Sequence, residues 1–308
     1  MRYAVLFPGQ GSQSVGMCED VRKHRQDLLG QAANDVLGWD LDALIENGPE
    51  SELMATENAQ PALYATAYAL WSEFSQHTTV LPAAAAGHSL GEYTALAAAG
   101  SFSFLDGLAL VAKRGRAMAD AAATASSGMA ALLGADIETA ERVASERRAA
   151  DGHLYVANIN APGQIVMAGG LADIEWLEAN AREMGIRRAV KLKVAAGFHS
   201  PFMAPAADSL SVALDDTTMR APAFDVYANV SAAPTDDPKT TLRDQLTGPV
   251  RFAETLEGMA ASGIDTFVHI GSGDVTAGLA KRTVKSATVY TVSTVDQARE
   301  IAQAVSVE

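Results

Sequence analysis

The sequence predicts an α/β fold: a largely parallel sheet, interrupted by a smaller unit of alternating strands and helices. Three observations carry this reading. Short apolar runs alternate with helical stretches at both ends of the chain, the pattern of a parallel sheet covered on both faces. The middle of the chain runs β-α-β-β-α-β, the order of the ferredoxin-like split unit. The length, 308 residues, corresponds at ~150 residues per domain to about two domains.

Each element has its own local warrant. Tyr3–Phe7 is an apolar run stopped by Pro8-Gly9, hence a buried strand and a loop. Residues 59–74 carry Leu63, Ala67, Leu70, Trp71 and Phe74 at helical spacing, with Pro61 suited to an early helical position. Residues 83–86 form a small apolar strand, 90–99 an Ala-rich helix and 105–118 a further helix. In the middle, 129–133 reads as a strand and 136–149 as a polar helix with Asp136 near its N-cap. Residues 154–159 and 165–168 read as strands joined by the turn Asn160-Ala161-Pro162-Gly163. A helix over 171–184 and a strand over 188–194 complete the small unit, placed at 126–195 within a discontinuous core of 1–125 and 196–308. Helices at 200–214, 253–261 and 275–284 then alternate with strands at 225–229, 266–270 and 288–292, and the C-terminal turns are helical.

Composition excludes several function classes. The formal charge of −14 repels a polyanion, so general nucleic-acid binding is not expected, although a local basic patch for one acidic partner is compatible with it. Cys18 is the only cysteine, which excludes an internal disulfide and a Cys-rich zinc site. No HExxH or carboxylate cluster at ligand spacing suggests a metal. No apolar run reaches the ~18–20 residues of a membrane span. The opening MRYAVLFPGQGSQ reads as a strand and loop rather than a signal peptide. A cytoplasmic protein is expected.

The sharpest chemical signal is Gly87-His88-Ser89-Leu90-Gly91, between a strand and a helix. That context is what a nucleophile elbow requires: a serine on a tight turn, glycines that permit close packing, and helix N–H groups near a developing oxyanion. The competing reading is a chance pentapeptide in a turn. A serine needs a base, and His24, His77, His88, His153, His199 and His269 are available. His199 is favoured because it follows a predicted strand end, where α/β sites form. The pattern alone leaves that choice open. Two Gly-rich segments, Gly9-Gln10-Gly11 and Gly271-Ser272-Gly273, tempt a dinucleotide reading, but Ser14 and Thr276 stand at the third fingerprint position. Lys113-Arg114-Gly115-Arg116 reads, on pattern alone, as a solvated helix face.

Several motifs occur together in order: Pro8-Gly9-Gln10-Gly11-Ser12-Gln13, Gln60-Pro61-Ala62-Leu63, Gly87-His88-Ser89-Leu90-Gly91-Glu92, Arg114-Gly115, Asn158 with Asn160, Phe198-His199-Ser200, and Gln245. The set closely resembles the malonyl-CoA:acyl carrier protein transacylase family, including the discrete acyltransferases of polyketide synthases, over nearly the whole chain. The resemblance implies an α/β-hydrolase-like core with an inserted ferredoxin-like subdomain. It implies Ser89 as nucleophile and His199 as base, with the backbone carbonyl of Gln245 orienting the imidazole. It implies an oxyanion hole from the Gln10 and Leu90 N–H groups, and Arg114 on the malonyl carboxylate, with His88, Met118, Asn160 and Phe198 lining the pocket. Leu90 and Phe198 match malonyl-selecting members, and discrimination against one extra methyl is worth about 1–3 kcal/mol. Gly248 and Phe252 depart from the Asn and Trp common in the family, which bears on the loop holding the Gln245 carbonyl.

The implied reaction is ping-pong transfer of malonyl from malonyl-CoA to the phosphopantetheine thiol of an acyl carrier protein, in fatty-acid or polyketide synthesis, by a monomer without a bound cofactor. Docking of an acidic carrier is expected at Lys281, Arg282 and Lys285, with Arg187, Arg188 and Lys191 across the cleft. A solvated surface is the competing reading of each cluster. Other functions compatible with the motifs are hydrolysis of acyl-carrier thioesters, transfer of another acyl group, a non-catalytic carrier-binding subunit, and an unrelated α/β hydrolase.

Overall fold

In the computed structural model, which describes residues 2–306, the strands form two sheets. The chain begins with β1 (Tyr3–Phe7) and five short helices, α1 to α5 (Glu19–His24, Gln26–Leu29, Gln31–Leu37, Leu41–Asn47 and Glu50–Met54). Next come α6 (Thr56–His77), β2 (Ala84–Gly87), α7 (Gly91–Ala98) and α8 (Phe104–Thr124). The middle contributes β3 (Ser127–Leu133), α9 (Ile137–Ala149), β4 (Leu154–Ala161), β5 (Gln164–Gly170), α10 (Leu171–Asn180) and β6 (Arg188–Lys191). A 3₁₀ turn (Pro201–Met203) leads into α11 (Ala204–Asp216), β7 (Asp225–Ala228), β8 (Ala233–Pro234), α12 (Pro238–Gln245) and α13 (Phe252–Ala261). The chain closes with β9 (Thr266–Ile270), α14 (Val275–Thr283), β10 (Thr288–Val292) and α15 (Val295–Ser306).

The larger sheet has the order β10-β9-β1-β2-β7-β8 and is parallel except for the β7–β8 pair. All five residues of β1 are buried because both faces are covered. Tyr3, Val5 and Phe7 share a core with Leu63, Leu70 and Phe74 of α6 and Tyr93 and Leu96 of α7. Ala4 and Leu6 point the other way, into a core with Phe252 and Leu256 of α13 and Leu279 of α14. Truncating Phe7 to Ala in such packing costs about 3–5 kcal/mol.

The smaller sheet has the order β4-β5-β3-β6 and is antiparallel throughout. Ala130, Leu132, Ile165 and Met167 form a separate core with Val143 of α9 and Ile174 and Leu177 of α10. Met129, Val166 and Ala168, at alternate positions, belong to the main core. A backbone link also ties the sheet to the main body: Ile159 N–H donates to Val250 O at 2.8 Å, and Val250 N–H to Ala157 O at 2.9 Å.

Element bounds differ from the sequence expectation in places with a physical cause. Helix α6 starts at Thr56, so Pro61 is its sixth residue and removes one helical hydrogen bond. The turn between β4 and β5 is Pro162-Gly163 alone, with Asn160 and Ala161 inside β4. Helix α10 ends at Asn180, four residues earlier than expected. Strand β6 stops at Lys191, opposite Ala130; Leu192 N–H still donates to Met129 O at 2.8 Å, but residues 193–194 no longer pair with β3, although that strand extends back to Ser127. Helices α1 to α5 and α12 are short, and no sequence period marks them.

Candidate active site

The carboxyl ends of β1, β2 and β7 meet where the Ser89 turn stands. Ser89 has φ +50°, a conformation costing about 1–3 kcal/mol for a residue with a Cβ. The surroundings hold it there. A Cβ on Gly87 would collide with the Gly91 carbonyl and the Glu92 nitrogen, and one on Gly91 with the Phe7 oxygen. The two glycines therefore let β1, β2 and α7 close around the turn. Asn229, just past β7, fastens both sides of it. Its Oδ1 accepts the Ser89 N–H at 2.8 Å, and its Nδ2 donates to Gly87 O at 2.7 Å.

His199 lies 2.8 Å from Ser89 Oγ through Nε2, and its Nδ1 lies 2.8 Å from the Gln245 carbonyl oxygen. A carbonyl only accepts, so Nδ1 carries the ring proton and Nε2 offers its lone pair to the serine hydroxyl. Burial, and then the nearby Arg114 charge, push the imidazole down to about 3. It is therefore neutral across the physiological range and able to take the Ser89 proton. Its position differs from the sequence argument. His199 does not follow a strand end: β6 ends eight residues earlier, and an irregular segment carries His199 with φ +56°. Despite Gly248 and Phe252, the Gln245 carbonyl reaches the ring. Phe252 packs edge-on to His88 at 5.5 Å between ring centroids.

Arg114 is buried rather than solvated, at 1% exposure. Gly115 is the local reason: its missing Cβ lets α8 approach the start of α6, where that atom would lie 2.9 Å from Glu57 Cα. Nη1 donates to Gln60 Oε1 at 2.6 Å, while Nη2 donates to Gln245 Oε1 at 2.9 Å and to Ser89 Oγ at 3.0 Å. Its Nε has no hydrogen-bond partner among the described residues. A buried guanidinium with an unused donor beside a serine oxygen has the donor geometry and charge that suit a carboxylate. Gln60 extends the network: its Nε2 donates to Thr56 Oγ1 at 2.9 Å, and that hydroxyl donates to Gln10 Oε1 at 2.9 Å.

Ser89, His199, Arg114, Gln10, Leu90, His88, Met118, Asn160 and Phe198 all line one cavity of about 480 Å³. Neither the Gln10 nor the Leu90 N–H has a backbone acceptor among the described residues. His88 Nε2 pairs with Asn160 Oδ1 at 2.7 Å. Gln245 stands behind His199 and Arg114. Lys193 and Val194 also line the cavity and were read as strand in the sequence. Lys281, Arg282, Lys285, Arg187, Arg188 and Lys191 lie outside it, all exposed. Arg282 bonds Gln164 of β5 at 3.2 Å.

Sequence reasoning assigned no role to Gln60, Glu92 or Asn229. Glu92 is fully buried, with Oε2 accepting the Asn229 backbone N–H at 2.9 Å and Gln245 Nε2 at 2.8 Å. One signal could have found it: a lone acid in the apolar stretch Tyr93-Thr94-Ala95-Leu96-Ala97-Ala98-Ala99 that follows it.

The acyl transferase domain model matches residues 5–307. This chain belongs to the acyl transferase domain family. The malonyl CoA-acyl carrier protein transacylase of Bacillus subtilis is 40% identical over 286 residues, covering 91% of this chain and 90% of that protein. Among solved structures, an acyl carrier protein S-malonyltransferase from Vibrio cholerae superposes with a TM-score of 0.92 at 36% identity, covering 98% of this chain and 100% of that one. A malonyl-transacylase in complex with its holo type II polyketide acyl-carrier protein superposes with a TM-score of 0.93 at 35% identity, covering 99% and 100%. The largely parallel sheet and the separate antiparallel one both fall within the 98–99% of this chain that these two structures cover. No helix among the described residues is long and apolar enough to cross a membrane, and no group of metal-ligating side chains occurs among them.

Proposed function

We propose that this acyltransferase moves malonyl from malonyl-CoA to the phosphopantetheine thiol of an acyl carrier protein through an ester on Ser89. The observation that carries the reading is the Arg114 fork, buried and 3.0 Å from Ser89 Oγ. It is a cationic receptor beside the hydroxyl that would hold the acyl group, suited to an acyl chain ending in a carboxylate.

His199 Nε2 takes the Ser89 proton as Oγ attacks the thioester carbonyl, and the Gln10 and Leu90 N–H groups receive the developing oxyanion. Losing one such donor typically costs about 10²–10³ in rate. The C–S bond then breaks, and His199 returns the proton so that coenzyme A leaves as the thiol. In the second half-reaction His199 takes the carrier thiol proton, the thiolate attacks the ester, and Ser89 Oγ recovers the proton. The Gln245 carbonyl supports the transient imidazolium without a carboxylate partner. Arg114 works against that cation, and a malonyl carboxylate paired with Arg114 relieves the effect. The base is thus strongest when the correct acyl group is bound.

In finer architectural terms, an α/β-hydrolase-like core (residues 1–125 and 196–308, of which 1, 307 and 308 lie outside the described residues) carries a ferredoxin-like insertion (126–195). The protein acts as a cytoplasmic monomer with no bound cofactor. The exposed Lys281, Arg282 and Lys285, with Arg187, Arg188 and Lys191, receive the carrier.

The test is intact-protein mass after brief mixing with malonyl-CoA or acetyl-CoA, for wild type and Ser89→Ala. The expected result is a malonyl adduct that requires Ser89 and passes to added carrier protein, with little adduct from acetyl-CoA. Release of coenzyme A without an adduct would indicate hydrolysis instead, and neither adduct nor turnover would refute coenzyme A-dependent transfer.

A further inference from the structure

The reaction just described makes no use of Glu92, a buried acid beside the site. Both Glu92 and Arg114 are withdrawn from water, and the amide of Gln245 stands between them. Its Nε2 donates to Glu92 Oε2 at 2.8 Å and to Ser89 O at 2.9 Å, both pure acceptors, so its Oε1 faces Arg114 Nη2 at 2.9 Å. The amide therefore relays one ion pair. The same Gln245 supplies the carbonyl that orients His199, and Asn229, held by Glu92 through its backbone N–H, supports the Ser89 turn. Glu92 Oε1 has no partner among the described residues, leaving an oxygen free to carry a proton. Burial pushes the Glu92 carboxyl up to about 7, against the lowering effects of the Asn229 and Gln245 hydrogen bonds and the Arg114 charge.

Without an acyl group, Arg114 has one buried counter-charge, Glu92. A malonyl carboxylate on the same guanidinium adds a second negative charge where Arg114 is the one buried cation lining the cavity. The other charged or titratable groups facing this region are His199 from the segment before the 3₁₀ turn, His88 from the end of β2, Tyr93 beside Glu92 on α7, and Lys193, an exposed cation on the cavity lining whose charge water screens. Burial holds His199 and His88 neutral and raises the Tyr93 hydroxyl beyond its usual range, so none of these three buried groups offsets the extra charge at neutral pH.

We infer that Glu92 is a positioning residue that exchanges places electrically with the substrate carboxylate: it is the counter-ion of Arg114 in the empty site and takes up a proton from solvent when the malonyl group binds. The inference rests on the proposed malonyl transfer and adds to it a proton-coupled selection of the acyl group. Acylation itself is neutral in protons, since the Ser89 proton leaves on the coenzyme A thiol. Net uptake therefore reports Glu92.

The experiment mixes wild-type protein with excess malonyl-CoA at pH 7 in weak buffer with an indicator dye, and follows the adduct by mass in parallel. The expected result is uptake of up to about half a proton per acylated site, because a group near its midpoint is half ionised beforehand. The half-saturating malonyl-CoA concentration for acylation should rise about tenfold from pH 6 to pH 8, as the competing Glu92 charge develops. In Glu92→Gln, which keeps the shape and removes the charge, that rise should vanish and the uptake with it. Acylation without proton uptake in wild type would overturn the inference while leaving malonyl transfer standing, and so would a pH profile of Glu92→Gln parallel to wild type. If Glu92→Gln does not fold, the wild-type uptake decides alone. No acylation of wild type would overturn malonyl transfer and this inference together.

Discussion

Arg114→Ala is the perturbation that most directly tests how the acyl group is chosen. In the empty site the guanidinium makes three hydrogen bonds, to Gln60, Gln245 and Ser89, and retains an unused Nε–H. A malonyl carboxylate would take up two of its N–H donors. Charge-assisted bonds of this kind contribute about 1.5–3 kcal/mol each. Two of them correspond to about 3–6 kcal/mol, or about 10²–10⁴-fold in the rate of malonyl loading. For an acetyl group no such loss arises, because acetyl brings no carboxylate to the guanidinium and leaves it with Glu92 as its counter-charge, as in the empty site. The malonyl-to-acetyl loading ratio should therefore fall by at least about 10²-fold. Removing Arg114 also strands the Gln60 and Gln245 carbonyl oxygens, each costing about 1–3 kcal/mol. Such losses lower the folded fraction equally for both substrates and cancel in the ratio. The assay is rapid-quench mixing with equal malonyl-CoA and acetyl-CoA, with the two adducts resolved by mass. Arg114→Lys, which keeps the charge without the fork, should fall between wild type and Arg114→Ala. A ratio in Arg114→Ala within tenfold of wild type would show that the carboxylate is not read by this side chain.

Two further perturbations address the turn and the surface. Gly87→Ala drives a methyl group into the backbone where Gly91 meets Glu92, and overpacking against rigid backbone costs about 1–3 kcal/mol or more. Calorimetry should show Tm lowered by several degrees, and an unchanged Tm would contradict the close approach. Charge reversal at Lys281, Arg282 and Lys285, or at Arg187, Arg188 and Lys191, should slow transfer to the carrier protein at low salt, with a smaller effect as salt screens the surface. Both half-reactions running at wild-type rates at low salt would remove these residues from the docking surface.

Strands β1, β9 and β10 have the bounds expected from sequence: β1 and β9 are fully buried runs, β10 is a partly buried edge strand rich in β-branched residues, and each is cut off by Pro, Gly or polar residues. The strand expected over 188–194 was drawn too long. Val190, Leu192 and Val194 alternate like a strand, but alternation cannot reveal that pairing with β3 ends at Lys191, or that the next residues line the cavity. Helices α1 to α5 span only 4–7 residues each. A helix that short completes too few turns to print a period.

The amino-acid sequence alone determined the fold class, the tight turn at Ser89 and a short set of candidate partners, since these depend on local spacing and on residue type. Residue pattern alone left the histidine open and the family resemblance implied His199; the tertiary structure is what brings it, 110 positions away, against Ser89 Oγ. It also moved Arg114 from an apparent solvated face into the interior, because a missing side chain at Gly115 lets two helices meet. The group that orients His199 is a backbone carbonyl, which every residue possesses, so no side-chain pattern can mark it. The Glu92–Gln245–Arg114 relay belongs to the same class. Its members lie on three helices, and a buried charge is recognisable only once the fold shows what excludes water from it and what stands opposite.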